Sequence, residues 1–105
     1  MEIENKAEII VKAIEEKKGE NVKVYDVNSS ICDKVIVATA LNDRNANAIC
    51  ENTLEKLEEN KINYKSVEGK NTHWIVIDAY DIIIHIFDEV SRAHFDLDNF
   101  LTSKK

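Results

Sequence analysis

Residues His73–Asp88, HWIVIDAYDIIIHIFD, constrain the fold more than any other part of the chain. Two β-branched runs are separated only by Ala79-Tyr80-Asp81, a spacing that fits a hairpin and leaves no room for a crossover. Because side chains alternate along a strand, Ile82, Ile84 and Ile86 share one face of the second run, and Ile83, His85 and Phe87 share the other. The all-isoleucine face is the natural core face, which leaves His85 and Phe87 looking towards the less covered side. In the first run Trp74, Val76 and Asp78 form one face, and His73, Ile75 and Ile77 the other. Which set joins the isoleucines depends on a register that the sequence leaves open. A hairpin serving only a core has no reason to carry a tryptophan, two aspartates and a histidine. The polar set points to one side being a docking surface for another macromolecule.

The flanking sequence predicts an order α-β-β-α-β-β-β-α, a mixed α/β (α+β) sheet of about five strands with two main helices and a short C-terminal one. Over residues 2–18, Ile3, Ala7, Ile10, Val11 and Ile14 recur at helical spacing, and Gly19 stands where a helix end favours a left-handed residue. Val22–Val27 reads as a strand, Asn28-Ser29-Ser30 as a turn, and Lys34–Ala40 as an apolar strand covered on both faces. Asn42 or Asp43 can cap a second helix, whose stripe is Ala46, Ile49, Cys50, Thr53, Leu54 and Leu57, ending near Asn60. Ile62–Val67 is a more polar strand, suited to a sheet edge, and Glu68–Asn71 turns the chain. Beyond Glu89 there is room for a helical turn and a short helix around Asp96 to Leu101, with Thr102 to Lys105 frayed. Two helices cannot cover both faces of five strands, so part of the sheet is expected to stay available.

A chain of 105 residues suits one domain, 1–105, and buries roughly 60–70% of its unfolded surface without a disulfide or metal. No run approaches the roughly 20 apolar residues of a membrane span. The acidic, helical start resembles neither a signal nor a transit peptide. The expected location is therefore the cytoplasm, where Cys32 and Cys50, which form no CxxC pattern, are reduced and packed as small apolar groups. The formal charge of −6 argues against a partner bound mainly through phosphates. Between Asp78 and Asp98 stand Asp78, Asp81, Asp88, Glu89, Asp96 and Asp98, opposed only by Arg92. Such a region attracts basic protein surfaces; the plainer reading is a solvated acidic rim.

Catalytic signals are weak by comparison. His85 in mid-strand is more often a hydrogen-bonded packing residue than a catalyst. His73, His85 and His94 with Asp96 could be drawn as a metal site, yet their spacing matches no compact ligand motif. Asp96 and Asp98 could serve a metal-dependent nucleotidyltransferase-like enzyme. That chemistry also needs a phosphate-holding loop, and the only glycines are Gly19 and Gly69. Two acids in the first turn of a short helix are explained by the helix dipole. No cofactor is expected. Trp74 is either a core residue closing the sheet edge or an interface anchor, and its acidic, β-rich surroundings favour the anchor.

The combination of Val24–Asp26, Cys32-Asp33, VIVATALNDRNANAI (Val35 to Ile49), Glu68-Gly69, Trp74, Asp78, Asp81, IIIHIF (Ile82 to Phe87) and Arg92-x-x-Phe95-Asp96-Leu97 resembles the ribosomal silencing factor, or Iojap-like, family. The resemblance spans nearly everything beyond the first helix. It implies a nucleotidyltransferase-like fold without the catalytic motif, and a translational repressor rather than an enzyme. The implied partner is the large ribosomal subunit, bound through its protein numbered fourteen, so that the small subunit cannot join and translation is damped in starvation. It implies no sequence-specific nucleic acid, and homodimers for some members. Carried onto this chain, the binding surface comprises Trp74, Asp78, Asp81, His85 and Phe87, supported by Asp33, Arg44 and Arg92. The chain departs from the family pattern at Lys34, Val35, Ala40, Tyr80 and Leu101. Tyr80 matters most, because the family has glycine there and a tyrosine adopts φ > 0 reluctantly, so a changed loop shape is expected.

Overall fold

The computed structural model describes residues 2–27 and 32–103, so the turn expected at Asn28-Ser29-Ser30 lies outside the described residues. Nine elements follow in order: α1 (Ile3–Glu16), β1 (Glu20–Asp26), β2 (Lys34–Ala40), α2 (Asp43–Glu59), β3 (Ser66–Glu68), β4 (Trp74–Ala79), β5 (Ile82–Asp88), α3 (Glu89–Phe95) and α4 (Leu97–Ser103). The strands form one sheet in the order β1-β2-β5-β4-β3. Only β2 and β5 run parallel. The mixed α/β class is as expected. Three details differ: β1 starts earlier, at Glu20, the edge strand β3 shrinks to three residues, and the tail forms two short helices. Of the tail expected to fray, Thr102 and Ser103 belong to α4, and Lys104 and Lys105 lie outside the described residues.

The register settles which residues share a face. Trp74 lies opposite Phe87, Val76 opposite His85 and Asp78 opposite Ile83, so the tryptophan set joins the histidine set. Ile75 and Ile77 join Ile86 and Ile84 on the other face. There, together with Ile36 and Ala38, they pack under α1 and α2, against Ile10, Ile14, Ile49 and Leu57. Burying an isoleucine this fully is worth about 1.5–3 kcal/mol, so this layer supplies most of the driving force.

Helix ends follow local chemistry. Asn42 caps α2 by accepting from Asn45 N–H, and Asp88 caps α3 by accepting from Ser91 N–H at 2.7 Å. Both long helices close on a Schellman pair. Gly19 N–H donates to Ile14 O and Lys18 N–H to Glu15 O; Ile62 N–H donates to Leu57 O and Lys61 N–H to Glu58 O. The left-handed residue of α1 is therefore Lys18 (φ 67°), not Gly19. Gly19 answers a different need, since a Cβ there would lie 2.3 Å from Ile14 Cγ2. Among the described residues no helix is long and apolar enough to cross a membrane.

The second face is only partly covered. Leu97 and Leu101 of α4 pack in a cluster with Tyr25, Val27, Cys32, Val35 and Val37 on the β1–β2 side, and the cluster continues to Phe87, Ile83 and Trp74. Arg92 of α3 secures this cover. Its guanidinium donates twice to the Asp98 carboxylate, at 3.0 and 2.8 Å, and also to Asn21 O and Thr39 Oγ1. Tyr25 OH donates to Asp98 at 2.6 Å. Towards β4 this cover thins to the Phe95 ring of α3 against Trp74, and among the described residues no helix element lies over Val76, Asp78 and β3 on this side.

Candidate functional site: an open aromatic and acidic sheet face

Three cross-strand rows build this side of β5, β4 and β3. Phe87 and Trp74 form the first, His85, Val76 and Glu68 the second, and Ile83, Asp78 and Ser66 the third. Side chains directly opposite each other on a sheet face are neighbours, so the rows define one continuous patch. Trp74, Val76, Asp78, Ile83 and His85 are half-buried, and Glu68 is exposed.

Trp74 is held from several directions. Its ring stacks on Phe87 at a centroid distance of 5.1 Å and lies 4.6 Å from Phe95. Its indole Nε1–H donates to His85 Nδ1 at 3.0 Å. The loop before it is tight. Gly69 has φ 81° and passes so close to Trp74 that a Cβ would lie 2.1 Å from the Trp74 carbonyl oxygen, so only glycine fits. A tryptophan both half-exposed and immobilised loses little entropy on binding, which is what an interface anchor requires.

Burial holds the His85 ring neutral, pushing its pKa down to about 4. Hydrogen bonds from Ser91 keep the Asp88 carboxyl below its usual range. The Arg92 guanidinium does the same, by hydrogen bonding, for Asp98. Burial, reinforced by Asp98, drives the Tyr25 phenol up to about 12. Burial likewise raises the Cys50 thiol to about 11, which makes it a packing group and not a nucleophile.

The residues proposed from sequence as a contact surface do not all meet here. Trp74, Asp78 and His85 share the patch. Phe87 has no exposed surface; it is the wall behind Trp74 and cannot itself be touched. Asp81 sits at the hairpin tip, where Lys6 Nζ donates to its carboxylate at 2.5 Å and to Ala79 O at 2.6 Å. The Asp81 carbonyl accepts from Asp33 N–H and Lys34 N–H, so Asp81 and Asp33 together lock the tip onto β2. Arg92 supports the fold from beneath α3. Arg44 is exposed on α2, on the opposite side of the sheet.

Tyr80 adopts φ 67°, so the backbone takes the left-handed conformation despite the side chain. Asp78 Oδ1 accepts Tyr80 N–H at 3.0 Å and helps to hold it there. Sequence reasoning missed two members of the patch. Glu68 belongs to β3 and not to the turn expected at Glu68–Asn71, because it keeps strand alternation with Ser66. Phe95, 45% exposed, enters only because α3 folds back over the end of β5.

Among the described residues no three histidine, cysteine or acidic side chains come together as a cation site. Asp98 lines a cleft of about 440 Å³ beside Asp96, but its carboxylate is engaged by Arg92 and Tyr25. The arrangement offers shape, aromatic area and negative charge, which are the means of a binding domain.

That description fits what comparison with known proteins finds. A family profile described as "Ribosomal silencing factor during starvation" matches residues 1–105, and the chain belongs to this family. The ribosomal silencing factor of Haemophilus influenzae is 30% identical over 94 residues, covering 87% of this chain and 92% of that protein. That of Chromobacterium violaceum is 27% identical over 101 residues, covering 93% of this chain and 83% of that protein. A crystal structure of a protein from Chromobacterium violaceum superposes with a TM-score of 0.95 at 26% identity, covering 100% of this chain and 90% of its own.

Proposed function

We propose that this ribosomal silencing factor lays its open β4–β5 face on the large ribosomal subunit, at the ribosomal protein numbered fourteen, and so keeps the small subunit from joining. The observation that carries the reading is Trp74, half-exposed yet fixed by His85, Phe87 and Phe95, with Asp78 and Glu68 on the same face. An apolar anchor rimmed by carboxylates suits a basic protein surface beside rRNA better than RNA itself, which draws on lysine and arginine. The mechanism needs no catalysis and no conformational change. A folded domain on an intersubunit surface excludes the other subunit by volume, and its effect follows occupancy, set by concentration over Kd. The place of action is the cytoplasm.

A sucrose-gradient profile at associating magnesium, with the protein in excess, tests this directly. Accumulation of free subunits is expected, with the protein in the large-subunit fractions. Undiminished formation of joined particles would overturn the reading.

A further inference from the structure

We propose that His85 is a fixed hydrogen-bond donor of the open face, delivering its Nε2–H to an oxygen acceptor, a backbone carbonyl or a carboxylate, on the docked protein. This deepens the docking role proposed above and rests on it.

The argument starts from the Trp74 indole, which can only donate. Its 3.0 Å bond to His85 Nδ1 therefore requires a bare lone pair on Nδ1. A neutral imidazole then carries its single proton on Nε2. The ring stays neutral because burial disfavours the imidazolium. Trp74 thus sets the tautomer and the ring orientation together.

Among the described residues the outward nitrogen has no internal use. Nε2 makes no hydrogen bond to any described residue, whereas no buried side-chain nitrogen or oxygen among the described residues lacks a partner. The N–H is therefore turned to the open side of the sheet. Its directly paired neighbours are Val37 on β2 and Val76 on β4, neither of which offers a side-chain acceptor. Once a partner covers the patch, water can no longer serve this donor, and a missing acceptor becomes costly.

The face consequently asks for a specific complement: apolar area for Trp74, cations for Asp78 and Glu68, and an oxygen over β5 for His85. A partner presenting lysine or arginine at the His85 position would bury two donors against each other and be rejected.

Two measurements test the proposal. Long-range proton–nitrogen correlation on the free wild-type protein should show His85 protonated at Nε2 alone, and Trp74→Phe should mix the tautomers. Protonation at Nδ1 in the wild type would overturn the inference. Binding to purified large subunits should fall about five- to tenfold for His85→Asn and His85→Leu, which lack the distal donor. His85→Gln, whose amide reaches the Nε2 position, should stay within about twofold of wild type. Wild-type affinity in both His85→Asn and His85→Leu would sink the donor while leaving the docking face intact. Unchanged affinity in Trp74→Ala would instead sink the docking face itself.

Discussion

The two faces of the sheet are made from the same two strands, yet they do opposite work. On one, Ile75, Ile77, Ile82, Ile84 and Ile86 are fully buried under α1 and α2. On the other, the alternate residues Trp74, Val76, Asp78, Ile83 and His85 remain half-buried at the margin of the cover that α3 and α4 provide. Along β4 and β5 the first face is isoleucine and alanine, where a polar atom left without a partner would be costly. The second mixes aromatic, polar and charged groups, of which Trp74, His85 and Asp78 are held by defined bonds or stacks. Stability is thus concentrated on one side, and recognition can occupy the other without competing with it.

That separation can be broken most forcefully from the closed side. Ile84→Ala should cost about 3 kcal/mol of unfolding free energy by leaving a cavity, measured by denaturant titration, while the surviving folded fraction binds large subunits normally. On the open side Trp74→Ala should reverse the pattern, weakening co-sedimentation by about 2 kcal/mol or more with a smaller loss of stability. Equal effects of both substitutions on both measurements would show that the faces are not independent.

Acid should probe the open face through His85. Its folded pKa lies near 4, below an unfolded value of roughly 6.5. The unfolded chain therefore binds more protons between these values, so the stabilising contribution is full above pH 6.5 and is lost as pH falls through 4. Going from pH 7 to pH 4.5 should cost wild type on the order of 2 kcal/mol more than His85→Gln, read from paired denaturation curves. The variant comparison removes the parallel acid response of Asp88 and Asp98. Parallel curves for the two proteins would mean that His85 is not held neutral.

The smallest effects sharpen the contrast at the helix ends beneath the closed face. Lys18→Gly and Lys61→Gly place glycine at left-handed positions and should each stabilise by about 1 kcal/mol. Binding to large subunits should not change. Thermal melting and gradient sedimentation of the double variant check both halves of the expectation.

Much of this was legible before any coordinates. The isoleucine face, the two amphipathic helices and the apolar strand β2 follow from periodicity, because a buried element must repeat its apolar residues at its own structural period. Local chemistry narrows the cap of α2 to Asn42 or Asp43, and the structure uses Asn42. The mixing of Trp74, Asp78 and His85 among isoleucines marked the hairpin as more than core. The limits of that reading are equally particular. Phe87 looks like a surface aromatic by alternation, but Phe95 and Trp74 close over it. Asp81 looks like a free acid at a loop tip, but Lys6, 75 residues earlier, takes its carboxylate. Asp96 and Asp98 look like a metal pair, but Arg92 and Tyr25 engage Asp98.

By itself the amino-acid order determined the elements, their apolar sides and the presence of a chemically mixed hairpin, since these depend on bonds and spacings within a few residues. The tertiary structure alone decided the strand register, which residues α3 and α4 cover, and which charges are already neutralised. Each of those depends on groups far apart in the chain meeting in space, and local periodicity carries no information about which distant partner arrives.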